Sequence, residues 1–146
     1  MPRIIAGRLG GRPVPSPPTN RTRPTSDRVR EALFSRLDAW GVIEGASVLD
    51  LFSGTGALAF EALSRGADFA VLVEAHRPTA KAIGEAARTL GIECALRVEC
   101  GQASVGPRPE GPFALVFADP PYSVATGELA RLVTGLGEAG QLADEA

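Results

Sequence analysis

Two short stretches of this 146-residue sequence combine residue types that can do chemistry. In the first, Asp50 is followed by a turn in which Gly54 and Gly56 are separated by one residue. Glycines at these places let the backbone turn sharply and approach a ligand without a Cβ in the way. Glu74 follows about 20 residues after the turn, a separation at which an acidic side chain can bind the ribose hydroxyls of a nucleotide. The stretch therefore predicts a site for a ribose-bearing nucleotide.

The acidic residue before the turn favours one kind of nucleotide over another. Gly54, Gly56 and Ala59 also fit the fingerprint of dinucleotide-binding proteins, so a nicotinamide-dependent oxidoreductase is one alternative. The carboxylate of Asp50, however, would face the pyrophosphate of a dinucleotide, and like charges repel. It better suits a ligand with a cationic amino group, such as the methionine moiety of S-adenosylmethionine. A structural Asp50 that caps the turn is the other alternative.

The second stretch is Asp119-Pro120-Pro121-Tyr122, which follows a strongly apolar segment. Two consecutive prolines donate no backbone hydrogen bonds and hold an extended loop. The carboxylate of Asp119 and the carbonyl of Pro120 are then fixed acceptors, and Tyr122 offers a ring on which a base can stack. This combination fits a planar base with an exocyclic amine. A proline-rich turn with a packed tyrosine is the structural alternative.

Alternating strands and helices from residue 46 onward must position both stretches. Strands are predicted over 48–52, 69–73, 95–98 and 113–118, and helices over 57–65, 78–90 and 125–136. Strands without polar alternation, separated by helices, are typical of a parallel sheet covered on both faces. We therefore predict a doubly wound α/β fold, in which ligands bind beyond the carboxyl ends of the strands.

The first forty residues form a basic arm ahead of an acidic body. They hold eight arginines against three acidic residues, although the whole chain has a net charge of -2. This asymmetry predicts that the arm meets a polyanion. A solvated surface is the alternative, since Lys81 is the only lysine in an arginine-rich sequence.

The arm itself divides into three predicted parts. They are a short hairpin over 3–15, an extended proline-rich loop over 15–24 and a helix that starts at Thr25 or Ser26. An apolar stripe of this helix is expected to face the core; it contains Val29, Leu33 and Leu37, with Ala32 and Phe34 beside them. Arg28 and Arg30 are expected to lie off that face.

Composition excludes several classes of protein. Hydrophobic residues make up 45% and charged residues 22%, which is usual for a globular domain and not for a disordered or fibrous chain. No apolar run approaches the roughly 20 residues of a membrane span, and the start lacks a secretory signal, so we expect a cytoplasmic protein. Two cysteines and one histidine predict no metal site. Buried positions are expected for Cys94, Cys100, Trp40, Phe60 and Phe113.

The motifs together resemble a known family. Residues 48–56 and 119–122 look like the nucleotide loop and the amino-methyltransferase motif of class I S-adenosylmethionine-dependent methyltransferases. Residues 3–7, 23–34, 48–58 and 61–67 narrow the resemblance to the RsmD family, whose members methylate N2 of one guanine in small-subunit (16S) ribosomal RNA. The resemblance spans most of residues 3–122.

This resemblance implies a Rossmann-like methyltransferase domain over 41–146 that follows an RNA-facing extension over 1–40. It implies S-adenosylmethionine as cofactor and ribosomal RNA, within a partly assembled 30S particle, as partner, with no membrane and no metal. The implied cofactor-binding residues are Asp50, Phe52, Ser53, Gly54, Thr55, Gly56, Glu74, Gln102 and Ala103. The implied catalytic residues are Asp119, Pro120, Pro121 and Tyr122, and the implied RNA-binding residues are Arg21, Arg23, Arg28 and Arg30.

Two features depart from the family pattern. Gln102 stands where class I enzymes often have an acidic residue that meets the adenine amine, although its amide oxygen can accept the same bond. Family members also continue into further strands, so we expect the last strands of the sheet to be missing and the fourth strand to have an unpaired edge. A non-catalytic RNA-binding module and an adenine-N6 methyltransferase are the remaining alternatives.

Overall fold

The computed structural model describes residues 3–14, 27–104, 108–119, 126–140 and 142–143. The helices are α1 (Asp27–Ala39), α2 (Ala57–Ser64), α3 (Arg77–Leu90) and α4 (Thr126–Glu138), with a 3-10 turn at Glu93–Ala95. The strands are β1 (Ser47–Asp50), β2 (Phe69–Glu74), β3 (Leu96–Cys100) and β4 (Leu115–Phe117). Each agrees with a predicted element to within a few residues.

The four strands form one parallel sheet in the order β3-β2-β1-β4. Alternate residues of β1 and β2 belong to two separate apolar clusters, one on each face of the sheet. Val48 and Leu72 belong to a cluster that contains residues of α1, α2 and α3, whereas Leu49 and Val71 pack in a second cluster with Leu136 of α4. Both faces are therefore covered, and the prediction of a doubly wound sheet is confirmed.

The order of the strands places a topological switch between β1 and β4. From β1 the chain crosses to β2 on one side, and β4 pairs with the other side of β1. Connections that diverge from neighbouring strands leave a crevice outside their carboxyl ends, and ligands of open α/β sheets bind there. The loop after β1 carries the first stretch singled out in the sequence, and Asp119 of the second stretch follows β4.

The amino-terminal hairpin packs on α2. Arg3 and Pro13 form an antiparallel bridge, and the N–H of Ile4 donates to the carbonyl of Arg12 at 2.9 Å. Ile4 is buried, as are Leu9 and Val14. The predicted hairpin is confirmed, and its apolar residues join the larger cluster.

The predicted orientation of α1 is confirmed for Phe34 and Leu37 and is wrong for Val29, Leu33 and Arg30. Its buried residues are Arg30, Phe34 and Leu37, while Val29 is 56% exposed and Leu33 37%. Arg30 takes a core-facing position because α2 presents the carboxylate of Glu61 there, and apolar periodicity cannot detect such a pairing. Trp40 was also expected in the core and is 66% exposed.

Of the other residues predicted to be buried, some are buried and some are exposed. Phe60 and Phe113 are buried as predicted. Cys94 and Cys100 are exposed free thiols, contrary to expectation. Cys94 lies in the 3-10 turn before β3 and Cys100 is the last residue of β3, and both places are at the surface. Among the described residues no helix is both long and apolar enough to cross a bilayer.

The edge beside β4 is paired at one point. Phe113 bridges Leu142 in parallel, and the N–H of Ala143 donates to the carbonyl of Phe113 at 2.8 Å. This pairing precedes β4 and forms because the chain returns to the sheet after α4. In the described sheet β4 itself lies at the edge, as expected.

Candidate active site

Asp50 ends β1 as a buried carboxylate with no cationic partner among the described residues. It is 1% exposed, and neither carboxylate oxygen accepts a hydrogen bond of ordinary geometry from the described residues. Burial raises its pKa to about 7, the backbone N–H of Phe52 partly offsets this, and the negative charges of Asp119 and Glu74 raise it further. A buried carboxyl without a partner is costly and points to a ligand that supplies one.

The turn after Asp50 is tied tightly to the sheet. The hydroxyl of Ser53 donates to the carbonyl of Asp50 at 2.9 Å, and the N–H of Ser53 donates to the carbonyl of Val73 at 3.1 Å. Gly54 has φ +55° with open space where a Cβ would stand, whereas a Cβ on Gly56, at φ +84°, would lie 3.0 Å from the ring of Phe60. The first glycine leaves room outside the turn, and the second permits close packing inside it.

The remaining side chains of this turn lie beside the same edge. Thr55 is buried, and Phe52 is half-buried against the second apolar cluster.

Glu74, at the end of β2, connects this turn to the next loop. One oxygen accepts the N–H of Gly54 at 3.0 Å, and the other accepts the N–H of His76 at 2.7 Å. The structure thus brings Glu74 to the glycine turn, as the sequence predicted. It also shows a supporting role for the carboxylate that the spacing alone did not indicate.

Asp119 lies two residues beyond β4, beside the end of β1. Asp50 and Phe117 are partners in the register of the two strands, and the N–H of Leu51 donates to the carbonyl of Phe117 at 3.0 Å. Asp119 is exposed and close enough for its charge to raise the pKa of Asp50. The two predicted stretches therefore start at neighbouring strand ends. Pro120, Pro121 and Tyr122 lie outside the described residues.

Gln102 and Ala103 follow β3 at the same edge of the sheet. Gln102 is exposed and Ala103 half-buried, with Ala103 packed against the second apolar cluster. The N–H of Gly101 donates to the carbonyl of Glu74 at 3.0 Å, which places this loop directly beside the end of β2.

The predicted RNA-binding arginines do not share one environment. Arg28 is exposed on α1, whereas Arg30 is fully buried and cannot reach a phosphate. Its guanidinium pairs with Asp27 at 2.7 Å, lies 3.7 Å from Glu61 and donates to the carbonyl of Arg3. Including Arg30 among the RNA contacts was therefore wrong. Arg21 and Arg23 lie outside the described residues.

Sequence reasoning missed Glu61, which connects the hairpin to α2. Its carboxylate is fully buried and accepts the N–H groups of Ile5 at 2.8 Å and Ala6 at 3.1 Å. The guanidinium of Arg65 donates to it at 2.8 Å. A lone acidic residue inside the otherwise apolar helix α2 was the available signal. Within the described ranges, no three acidic, cysteine or histidine side chains are arranged to hold a metal ion.

Comparison with known proteins decides the family. The family model described as "Conserved hypothetical protein 95" matches residues 2–146. The chain belongs to this family. It is also 41% identical over 144 residues to Ribosomal RNA small subunit methyltransferase D of Escherichia coli K12, an alignment that covers 99% of the chain and 71% of that relative. The resemblance to the RsmD family noted in the sequence is confirmed.

Solved structures agree with this assignment. A putative methyltransferase, yhhF from Escherichia coli, superposes with a TM-score of 0.81 and 37% identity, covering 97% of this chain and 75% of that one. A methyltransferase of Thiobacillus denitrificans in complex with S-adenosyl-L-homocysteine gives a TM-score of 0.68 over 88% of this chain and 49% of that chain, at 16% identity. The fold of this family member is that of class I S-adenosylmethionine-dependent methyltransferases.

Proposed function

We propose that this chain transfers a methyl group from S-adenosylmethionine to the exocyclic N2 amine of a guanine in small-subunit ribosomal RNA. The observation that carries the proposal is the pairing of β1 with β4, which brings Asp50 and Asp119 to neighbouring strand ends at the switch point of the sheet. The name of the Escherichia coli relative supports ribosomal RNA of the small subunit as the substrate class.

The residues present fit this cofactor. The carboxylate of Asp50 is buried and accepts no hydrogen bond of ordinary geometry from the part of the chain that the structure describes. It would accept the cationic amino group of the methionine moiety. Glu74 uses each oxygen for one backbone N–H, and carboxylate oxygens have further lone pairs that would accept ribose hydroxyls. Gly54 leaves open space beside the turn. S-adenosylmethionine, when bound, supplies an electrophilic methyl group on a sulfonium.

The negative charge at the carboxyl ends of β1, β2 and β4 favours this cofactor over a dinucleotide. The negative charges of Asp119 and Glu74 both act on Asp50, so three carboxylates lie near the same crevice. A pyrophosphate placed there would meet repulsion, whereas a cation would be attracted. The nicotinamide alternative is therefore disfavoured.

Asp119 is the residue we assign to the target amine. Its exposed carboxylate would accept one amine proton, and the carbonyl of Pro120 would accept the other, so that the amine lone pair faces the methyl group. Tyr122 would stack on the extruded base. Asp119 need not be a strong base, because the amine proton becomes acidic once the methyl group has been transferred.

The arm over 1–40 is proposed to hold the RNA, and residues 41–146 to hold the cofactor. Arg28 is the described candidate for a phosphate contact, and Arg21 and Arg23 remain candidates from the sequence. Phosphate contacts would supply affinity while the pocket selects the base. We expect the protein to act in the cytoplasm on partly assembled 30S particles.

Transfer of a labelled methyl group to small-subunit RNA, free or in partly assembled 30S particles, tests the proposal. We expect Asp119→Ala to lower turnover by about 10²-fold or more and to leave the affinity for S-adenosylmethionine within about twofold. Asp68→Ala is the matched control. Asp68 is exposed and precedes β2, so it lies at the amino ends of the strands, away from the proposed site. Wild-type turnover in Asp119→Ala would exclude this role.

The identity of the labelled nucleoside separates the remaining alternatives. Digestion of the product and mass spectrometry should give N2-methylguanosine. N6-methyladenosine would establish the adenine specificity instead. Tight RNA binding by the wild-type protein without any methyl transfer would indicate a non-catalytic binding module.

A further inference from the structure

Four charged side chains form an alternating chain of ion pairs beside the carboxyl end of β3. Arg97 pairs with Glu110 at 2.7 Å and with Glu99 at 3.3 Å, and Arg108 pairs with Glu99 at 2.8 Å. The side chain of Arg108 is 3% exposed, in contrast to 38% for Arg97. These pairs are mutually supportive, because Arg108 lowers the pKa of Glu99 and Arg97 lowers that of Glu110.

Arg108 differs from Arg97 in a second set of contacts. Its guanidinium donates to the carbonyl of Ser104 at 3.0 Å and to the hydroxyl of Ser104 at 3.2 Å. The same group donates to both oxygens of Glu99, at 3.2 and 2.8 Å. A planar guanidinium can hold two groups at once in this way, whereas an ammonium group acts as a point charge. Arg108 thus connects the body of β3 to the backbone of the loop that follows it.

The other end of that loop is held by a different contact. The N–H of Gly101 donates to the carbonyl of Glu74 at 3.0 Å, and the Glu74 side chain contacts the glycine turn. Gln102 and Ala103 therefore lie between two fixed points, Gly101 on the side of β2 and Ser104 on the side of Arg108.

We propose that Arg108 is a positioning residue for the adenine end of the cofactor site, acting through Ser104 on Gln102 and Ala103. The inference rests on the proposed function and on the resemblance to class I methyltransferases, which implies that Gln102 and Ala103 bind the cofactor, with Gln102 at the adenine amine. Arg108 would not contact the cofactor itself, but its loss should weaken cofactor binding. Removal of the guanidinium frees the Ser104 carbonyl, and the loop then populates positions in which Gln102 no longer meets the adenine amine.

The fold should survive this change. Glu99 is 30% exposed and keeps Arg97 as a partner, so loss of Arg108 leaves no isolated buried charge. The effect on cofactor geometry is therefore expected to exceed the effect on the folded state.

Calorimetric binding of S-adenosylmethionine and of its counterpart with unsubstituted purine in place of adenine tests the proposal, because the purine has no exocyclic amine for Gln102 to accept. Arg108→Gln should weaken binding of the adenine cofactor about tenfold, leave binding of the purine counterpart nearly unchanged, and so remove most discrimination between them. KM for the cofactor should rise by the same factor, with kcat within about twofold.

Arg97→Gln is the matched control, since it removes an arginine from the same ion-pair chain without touching Ser104 in the described contacts. It should bind and discriminate like the wild type. Arg108→Lys keeps the charge beside Glu99 but cannot hold both groups, so it should behave as Arg108→Gln if that variant does not fold.

The outcomes separate this inference from the proposed function. Wild-type affinity and wild-type discrimination in both Arg108 variants would overturn the positioning role while leaving the proposed function intact. Equal weakening by Arg97→Gln would also overturn it, since the loss would then follow from the ion pairs in general. A wild-type protein that does not bind S-adenosylmethionine would overturn the proposed function, and this inference with it.

Discussion

Two buried carboxylates, Asp50 at the end of β1 and Glu61 within α2, have opposite surroundings. Glu61 is 0% exposed and accepts hydrogen bonds from two backbone N–H groups and one guanidinium. Asp50 is 1% exposed and accepts no hydrogen bond of ordinary geometry within the described part of the chain. A folded chain pairs its structural charges with its own groups. The contrast indicates that Glu61 stabilises the fold, and it supports the proposal that Asp50 binds a cationic ligand.

The two carboxylates should therefore respond oppositely to removal. Glu61→Ala leaves the hairpin N–H groups without their acceptor and removes the buried charge that faces the guanidiniums of Arg30 and Arg65. We therefore expect a loss of about 3–5 kcal/mol in the free energy of unfolding. Urea denaturation measures it. Asp38→Ala is the control, because Asp38 pairs with Arg65 at the exposed rim of the same network and should cost at most about 1 kcal/mol. Similar losses in both variants would contradict the assignment.

Asp50→Asn should stabilise the protein in the absence of cofactor. The folded-state pKa of about 7 lies above the usual 3.8, so the folded chain holds a proton that the unfolded chain has lost between these values. Stability falls by about 1.4 kcal/mol per pH unit as pH rises through that window. Because a buried amide also lacks partners, we expect a net gain of about 1–3 kcal/mol at pH 8.

Urea denaturation of the two proteins at pH 8 and at pH 5 checks this linkage. The advantage of Asp50→Asn should shrink toward pH 4, because the unfolded chain takes up the same proton as the pH approaches 3.8. A variant less stable than the wild type at pH 8 would show that Asp50 has a partner in the free protein.

The junction between hairpin and α2 can also be tested without changing a charge. A Cβ on Gly7, at φ +82°, would stand 2.0 Å from the carbonyl oxygen of Ser64, whereas a Cβ on Gly11, at φ +85°, would meet nothing within 4 Å. Gly7→Ala and Gly11→Ala share the conformational cost of about 1 kcal/mol. Gly7→Ala should lose about 1–2 kcal/mol more. Equal midpoint temperatures of thermal unfolding for Gly7→Ala and Gly11→Ala would indicate that the hairpin is not fixed on α2.

The sequence predicted the sheet, and the residues that gather at the carboxyl ends of its strands, better than it predicted α1. Continuous apolar runs such as 69–73 determine buried strands through composition alone, and Asp50, Glu74 and Asp119 reach one edge because parallel strands share their carboxyl ends. Arg30 could not be placed in this way, because its burial depends on Glu61, a residue 31 positions further along. The bridge from Arg108 to Ser104 likewise depends on the path of a loop, which periodicity does not encode.

Proton release on cofactor binding tests the central claim most directly. At pH 6 the carboxyl of Asp50 carries a proton in the free protein, since its pKa is about 7, and a bound cation should displace that proton. Calorimetric titration with S-adenosylmethionine in two buffers of different ionisation enthalpy should therefore show release of nearly one proton at pH 6, and little release by Asp50→Asn. Binding without proton release, at equal affinity in both proteins, would contradict the account.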